Sequence, residues 1–287
     1  MPRTMLTDQH WQKLKVILRN LSIHHNSNLR NFIEAILEQE FLASYDRRDY
    51  DAPLLTVDMA IFSVFNGQLQ VLLIKRPNFP AKDQWALPGG FADLKHDQDL
   101  MATAYRKLVE KTGISSPYLE QVASVGNAKR DPRGWAVTIL YFALIDFNAY
   151  QHQALAEYSE WVPVAKAKDL ALAFDHNELL SLALERLTSK TRYTALPASL
   201  MPELFTLTEL QTIYEIILGQ SLDKKAFRRR MIEAGAVEET NRSKIVGKRP
   251  AQLYRYALDS FDFIFPRSLE LPRNKEGEGK QNNELSD

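Results

Sequence analysis

Two groups of charged side chains in this sequence have the types and spacing that binding or chemistry at phosphates requires. The first follows the paired glycines Gly89 and Gly90, where "LPGGFADLKHDQDLMATAYRKLVEKTGI" places Arg106, Lys107, Glu110 and Lys111 at helical intervals. Residues three and four apart share a helix face, so Lys107, Glu110 and Lys111 present two ammonium groups and one carboxylate side by side. Arg76 precedes this stretch, and Arg130 and Arg133 follow it. A guanidinium at any of these places could fork onto phosphate oxygens. The second group is the run Lys224, Lys225, Arg228, Arg229 and Arg230, followed by Lys248 and Arg249. Between residues 221 and 257 ten basic residues stand against four acidic ones, a local charge of +6. That is the footprint a polyanion partner requires, because each phosphate neutralised releases a counterion. A lone basic run is more often a solvated face, so the elements that carry these residues decide between the two readings.

Residues 1–50 read as a helical arm. Thr7 can cap a helix carrying Trp11, Leu14, Ile17, Leu18 and Leu21, and Leu29, Phe32, Ile33, Ile36 and Leu37 continue at helix spacing. From Pro53 the period becomes strand-like, with "TVDMAIFSVF" and "LQVLLIK" on either side of Asn66-Gly67, a strong hairpin signal. A loop over 77–90 leads to a helix over about 97–112, stopped by Gly113. "EQVASVG", "WAVTILYFALI" and residues 161–164 read as strands, and "DHNELLSLALERLTSK" as a helix with Asp175 as its cap. Residues 51–189 therefore form a mixed α/β domain.

Residues 190–204, with Pro197 and Pro202 and little periodicity, read as a linker. Beyond it "TLTELQTIYEIILGQ" is a helix capped by Thr206 or Thr208 and stopped by Gly219. "SLDKKAFRRRMIEAGA" is a second, basic helix whose Phe227 and Met231 are placed to pack on Leu210 and Tyr214. "VEETNRSKIVGKRPAQLYRYAL" adds two short strands, with Tyr254 and Tyr256 closing them onto the helices. The span 205–266 is thus a helix-turn-helix with a wing, and 267–287 reads as a disordered polar tail. This placement favours the nucleic-acid reading of the basic run, since the second helix of such a pair enters the major groove.

The chain of 287 residues carries 36 basic and 36 acidic residues, so the composition as a whole does not announce a nucleic-acid protein. It has no cysteine, which excludes disulfides, thiolate metal sites and thiol nucleophiles and fits a reducing compartment. No run approaches the roughly 20 apolar residues of a membrane span, and no secretory leader opens the chain. A cytoplasmic protein is the expectation.

Residues 90–114 resemble the Nudix box, G-x5-E-x7-R-E-U-x-E-E-x-G-U with U apolar. Arg106, Leu108, Glu110, Gly113 and Ile114 fall on the family's Arg, apolar, first paired Glu, Gly and apolar positions, and "WALPGG" is its usual approach. The other glutamate positions hold Gln98, Lys107 and Lys111, and Gln98 lies two residues farther from Gly90 than the signature allows. Active members use carboxylates there to hold divalent cations, which need anionic oxygen ligands. Two ammonium groups repel such an ion, so no catalytic residue and no metal is assigned, and hydrolysis is not expected. Relatives that act on ADP-ribose are similar also in "NAKRDPRGWAVTILYFAL". The resemblance implies a ligand site drawn from Arg76, Trp85, Gly89, Gly90, Lys107, Glu110, Lys111, Arg130 and Arg133. Trp85 either stacks on a base or fills the loop. Arg106 is expected to pair with Glu110 on the helix face, and His176 beside a helix cap reads as local structure.

Joined to the basic helix and "GKRPAQLYRY", residues 50–260 resemble the Nudix-related repressors of NAD metabolism (NrtR-type). The resemblance implies an α/β Nudix-like sandwich domain followed by an α+β winged helix-turn-helix domain. It further implies a homodimer on a palindromic double-stranded DNA operator near NAD-biosynthesis genes, released by ADP-ribose as effector with no required cofactor. The expected DNA-facing residues are Thr208, Lys224, Lys225, Arg228, Arg229, Arg230, Lys248 and Arg249. The alternative is an active ADP-ribose pyrophosphatase with a nucleic-acid-binding tail; an RNA adaptor has no visible stacking platform.

Overall fold

The computed structural model describes Gln12, Val16 and residues 27–113, 118–150, 158–257, 261 and 263–266. The expected helix around Trp11 with its Thr7 cap, the box residue Ile114 and the tail 267–287 lie outside these. The chain divides into two compact units, Met1–Ala52 and Pro53–Asp287. In the first, helix α1 (Ser27–Ser44) is followed by a 3-10 turn, Arg47–Asp49, capped by the Asp46 carboxylate, which accepts from the Arg48 amide. Phe32 and Leu42 of α1 are exposed.

The second unit opens on the hairpin of β1 (Leu54–Phe65) and β2 (Gln68–Lys75). Asn66 and Gly67 both have positive φ, 52° and 70°, the pairing that a tight hairpin turn matched to strand twist requires. Short strands β3 (Trp85–Ala86) and β4 (Gly89–Phe91) lead to helix α2 (Leu100–Thr112). Asp99 caps α2 by accepting from the Ala102 amide, and Gly113 ends it in the left-handed region at φ 75°. Strands β5 (Tyr118–Asn127) and β6 (Ala136–Leu144), the single turn α3 (Phe147–Tyr150), β7 (Ser159–Pro163), α4 (Val164–Asp169) and α5 (His176–Tyr193) follow.

Among the described residues seven strands make one mixed sheet with the path β3-β2-β1-β6-β5, β4 pairing with β1 and β7 with β2. Strands β1 and β6 run parallel, in register from Leu54↔Ala136 to Phe62↔Leu144. Alternation along β1 sorts its side chains between two faces. Val57, Met59 and Ile61 join Ala104 and Leu108 of α2, while Ala60 and Phe62 join Leu179, Ala183 and Leu187 of α5. The sheet is therefore covered by helices on both sides.

Residues 190–204 are not the open linker that their irregular sequence suggests. Helix α5 runs to Tyr193, and a 3-10 turn, Leu196–Leu200, follows with Pro197 in its first turn. Leu196 and Leu200 are buried in the sheet's core, and Ala195 and Ala198 in the core of the next domain. A segment serving two cores has no single face to repeat, which is why no period appears.

Helix α6 (Leu207–Leu218) opens with a capping box in which Thr206 and Glu209 satisfy each other's backbone amides, so Thr206 and not Thr208 is the cap. Gly219 closes it at φ 68°. Helix α7 (Lys224–Glu233) is capped by Asp223, and its Phe227 and Met231 pack with Leu210 and Tyr214 of α6, the Tyr214 and Phe227 rings meeting edge-on at 5.2 Å. Strands β8 (Val237–Val246) and β9 (Arg249–Tyr256) form the wing, and Tyr254 closes it onto the helices. No helix among the described residues is long and apolar enough to cross a membrane.

Candidate functional site

The geometry of the first site begins with two glycines that admit charged neighbours. Gly89 lies opposite Asp58 across β1 and β4, and a Cβ at Gly89 would collide with the Asp58 carboxylate. Gly90, at φ 155°, leaves room for the Lys107 chain, whose Cε would stand 3.0 Å from an added Cβ. Beside them is a cavity of about 110 Å³ lined by Asp58, Arg76, Arg130, Asp131, Arg133 and Phe174, among others. A second cleft of about 450 Å³, lined by Pro80, Gln84, Lys129, Pro132 and Glu178, shares Arg130 and Phe174 with it.

Three arginines meet at the cavity in different states. Arg130 is 7% exposed, and its Nε and Nη2 donate to the two oxygens of Asp175 at 3.0 and 3.1 Å. Its Nη2 also stands 3.4 Å from Asp58. Asp175 occupies the N-cap position of α5 yet makes no cap bond, because its carboxylate is turned to Arg130. Arg133 pairs with Asp131 at 2.6 Å and lies 4.8 Å over the Phe91 ring, and the Asp131 carboxylate raises the Arg133 pKa. Arg76 donates from Nε to the Pro80 carbonyl at 3.0 Å and stacks 4.7 Å over Phe174. Burial and then the nearby Arg133 lower its pKa. Among the described residues Arg76 has no ion-pair partner, so its outer nitrogens are available to an anion. Phe174 itself has φ 57°, a strained conformation for a bulky residue at the wall between the two hollows.

His176 behaves as local structure: its Nδ1 accepts the Leu87 amide at 2.9 Å, and its Nε2 is 3.9 Å from Asp58. Burial pushes its pKa down, so the ring is held neutral.

On α2 the expected bond from Arg106 to Glu110 is present at 2.9 Å, but the stronger partner is Asp97. Arg106 forks onto both Asp97 oxygens, at 2.7 and 2.5 Å, and holds that carboxyl far below the usual range. Asp97 was not singled out in the sequence; its only local sign was its place beside Gln98 at the box's first carboxylate position. Lys107 donates to Glu110 at 2.8 Å. Although burial acts the other way, Lys107 and Arg106 together hold the Glu110 carboxyl below its ordinary value. Lys107, Glu110 and Lys111 lie on the same helix but do not line the cavity, and Lys111 forms no ion pair among the described residues. Trp85 does not line it either; half-buried, it packs on the sheet core.

The second site is the outer surface of α7 and the wing. Lys224, Lys225, Arg229, Lys248 and Arg249 are exposed and Arg228 is half-buried, and none has an ion-pair partner among the described residues. Thr208 is exposed on the first turn of α6. Other basic residues of this region are engaged within the protein: Lys244 with Glu209 and Arg255 with Glu238. Arg230, expected among the DNA-facing residues, also turns inward. It donates from Nη2 to the Arg192 carbonyl at 3.4 Å and stacks 4.3 Å over Phe265. On a helix with Phe227 and Met231 buried, the position three residues after Phe227 falls near the packed face, not the outer one.

Comparison with known proteins agrees with this division. Residues 54–183 match the model of the NUDIX domain, and residues 197–256 that of the NrtR DNA-binding winged helix domain. The chain is 70% identical over 240 residues to the "ADPR responsive transcriptional repressor NtrR" of Acinetobacter baylyi, spanning 83% of this chain and 96% of that protein. The crystal structure of Shewanella oneidensis NrtR complexed with a 27mer DNA superposes with a TM-score of 0.72 at 43% identity, covering 75% of this chain and 99% of that one. An ADP-ribose pyrophosphatase of Methanocaldococcus jannaschii is 27% identical over 154 residues, 53% of this chain and 83% of that protein. A Nudix domain packed on a winged helix, matched at this identity over nearly the full length of a relative, places the chain in the NrtR family of transcriptional repressors.

Proposed function

We propose that the chain is a DNA-binding repressor of NAD-biosynthesis genes that leaves its operator when ADP-ribose occupies the Nudix cavity. The observation that carries the reading is where the unpaired cations stand. Among the described residues Arg76 at the cavity has no ion-pair partner, and neither do Lys224, Lys225, Arg228, Arg229, Lys248 and Arg249 on α7 and the wing. The first arrangement suits a small pyrophosphate, which one or two guanidiniums can grip. The second suits a duplex, whose backbone is held by many exposed charges. A second copy of the chain would place two such wings on a palindrome.

In this reading the domain binds without hydrolysing. Active Nudix members hold divalent cations, and the residues here do not fit one. Gln98, Lys107 and Lys111 stand where carboxylates are needed, and the ammonium of Lys107 already occupies the remaining Glu110. Lys107 runs beside Gly90 at the rim of the cavity, from where its ammonium would have to leave Glu110 to meet a phosphate. Binding of ADP-ribose should then be equally tight with EDTA and with magnesium. The test is a gel shift on a duplex selected from random sequence by the chain, with ADP-ribose added in EDTA. Release of the DNA is expected; release only with magnesium, accompanied by phosphate-containing products, would favour the pyrophosphatase reading.

A further inference from the structure

Arg230 lies at a joint that a DNA-contact role leaves unexplained, and the joint belongs to a helix that also reaches the cavity. Helix α5 begins there, where Asp175 grips Arg130 and the His176 ring accepts the Leu87 amide. Its middle is fixed to β5: Arg186 and Lys190 both pair with Glu120, and Lys190 also reaches the Tyr118 hydroxyl. Its last carbonyls are taken by the winged helix. Arg230 donates to Arg192, the Tyr214 hydroxyl to Thr194 at 2.9 Å, and the Phe265 amide to Tyr193 at 2.8 Å. One helix, about 27 Å long at 1.5 Å per residue, is thereby bonded to the ligand cavity at one end and to the basic helix α7 at the other.

The joint also holds donors in reserve. Among the described residues the Nε atoms of Arg192 and Arg230 are buried with no acceptor. Buried donors are rarely left so, and a joint that contains two can exchange one set of bonds for another when α5 shifts.

We infer that Arg230 is a positioning residue that ties α7 to α5, and through α5 to the ligand cavity, and that it is not a DNA contact. The inference rests on the ADP-ribose reading above. A ligand whose phosphates draw Arg130 away from Asp175 biases the start of α5, and the bond from Arg230 to Arg192 carries that bias to the helix that holds the duplex. The coupling is a free energy shared by both ligands, so it can be measured apart from either affinity.

Two variants of the full chain test this. Arg230→Met keeps an aliphatic contact with Phe265 and removes the donors; Tyr214→Phe removes only the hydroxyl that reaches Thr194. Each is compared with the unmodified chain by fluorescence anisotropy, on a duplex selected from random sequence by the unmodified chain, with and without ADP-ribose and over a salt series. Both variants should keep the unmodified salt slope, while the factor by which ADP-ribose weakens DNA binding should fall at least about threefold in Arg230→Met and by less in Tyr214→Phe. A salt slope lower by about one in Arg230→Met would make Arg230 a phosphate contact and overturn the inference. Undiminished coupling in a folded Arg230→Met would overturn it too, and if that variant does not melt cooperatively, undiminished coupling in Tyr214→Phe does the same. An unmodified chain whose DNA binding ignores ADP-ribose would instead overturn the reading beneath it.

Discussion

The cavity and the wing are both cationic, and they treat their charges in opposite ways. At the cavity nearly every cation is matched: Arg130 by Asp175 and Asp58, Arg133 by Asp131, and on the adjoining helix Arg106 by Asp97 and Lys107 by Glu110. On α7 and the wing Lys244 and Arg255 are paired, but Lys224, Lys225, Arg229, Lys248 and Arg249 stand exposed and have no ion-pair partner among the described residues. The difference follows from the two partners. A small ligand is chosen by geometry, so its arginines must be held in place, and buried charges can be held only when paired. A duplex offers a long array of phosphates and is gripped by exposed charge, which pairing would cancel.

The largest effect that would break this contrast concerns the wing side. Arg228→Ala with Arg229→Ala should weaken DNA binding by roughly 1,000-fold at physiological salt, the loss of two charge-assisted contacts, with ADP-ribose affinity and melting temperature unchanged. Gel shifts, calorimetry and melting curves on one preparation check all three; intact DNA affinity would move the interface elsewhere. On the cavity side, Asp175→Ala leaves Arg130 with only its 3.4 Å contact to Asp58. It should cost about 3 kcal/mol of stability, measured by urea unfolding, because a buried charge is left under-compensated. A loss below 1 kcal/mol would mean the pair is not structural. Arg76→Ala should be milder: roughly 10- to 100-fold weaker ADP-ribose binding by calorimetry, with stability and ligand-free DNA affinity kept.

How far these assignments were legible in the sequence depends on the span of each interaction. The Asn66-Gly67 hairpin, the stops at Gly113 and Gly219, and the packing of Phe227 and Met231 on Leu210 and Tyr214 are local or periodic, and the sequence carries them openly. Asp175 binding Arg130, 45 positions away, has no local signature, and its cap-like position points to a different role. Arg230 looked like its neighbours in a basic run; its spacing from Phe227 put it near the packed face, but its partner there, the Arg192 carbonyl, is 38 positions away and has no local signature. Within residues 190–204 the stretch 195–200 lacks a period because it is packed into two cores at once.

The smallest expected effect sharpens the cavity side by pH. Burial lowers the pKa of His176 below its ordinary value, so the unfolded chain binds the extra proton first, and stability is lost as pH falls below about 6.5. Melting temperature should decline between pH 7 and 5, ahead of the acid loss that comes when Asp97 and similar carboxyls are protonated. His176→Gln, which keeps an acceptor for the Leu87 amide, should flatten the profile in that window; an unchanged slope would assign the decline to other groups.

The central claim is that the two unlike sites answer to each other. Titrating ADP-ribose calorimetrically into the full chain, free and saturated with its operator duplex in EDTA, and then the duplex into the chain with and without ADP-ribose, measures both legs of one cycle. The account predicts that each ligand weakens the other by the same factor, on the order of 10 to 100. Equal ADP-ribose affinity with and without DNA would contradict it.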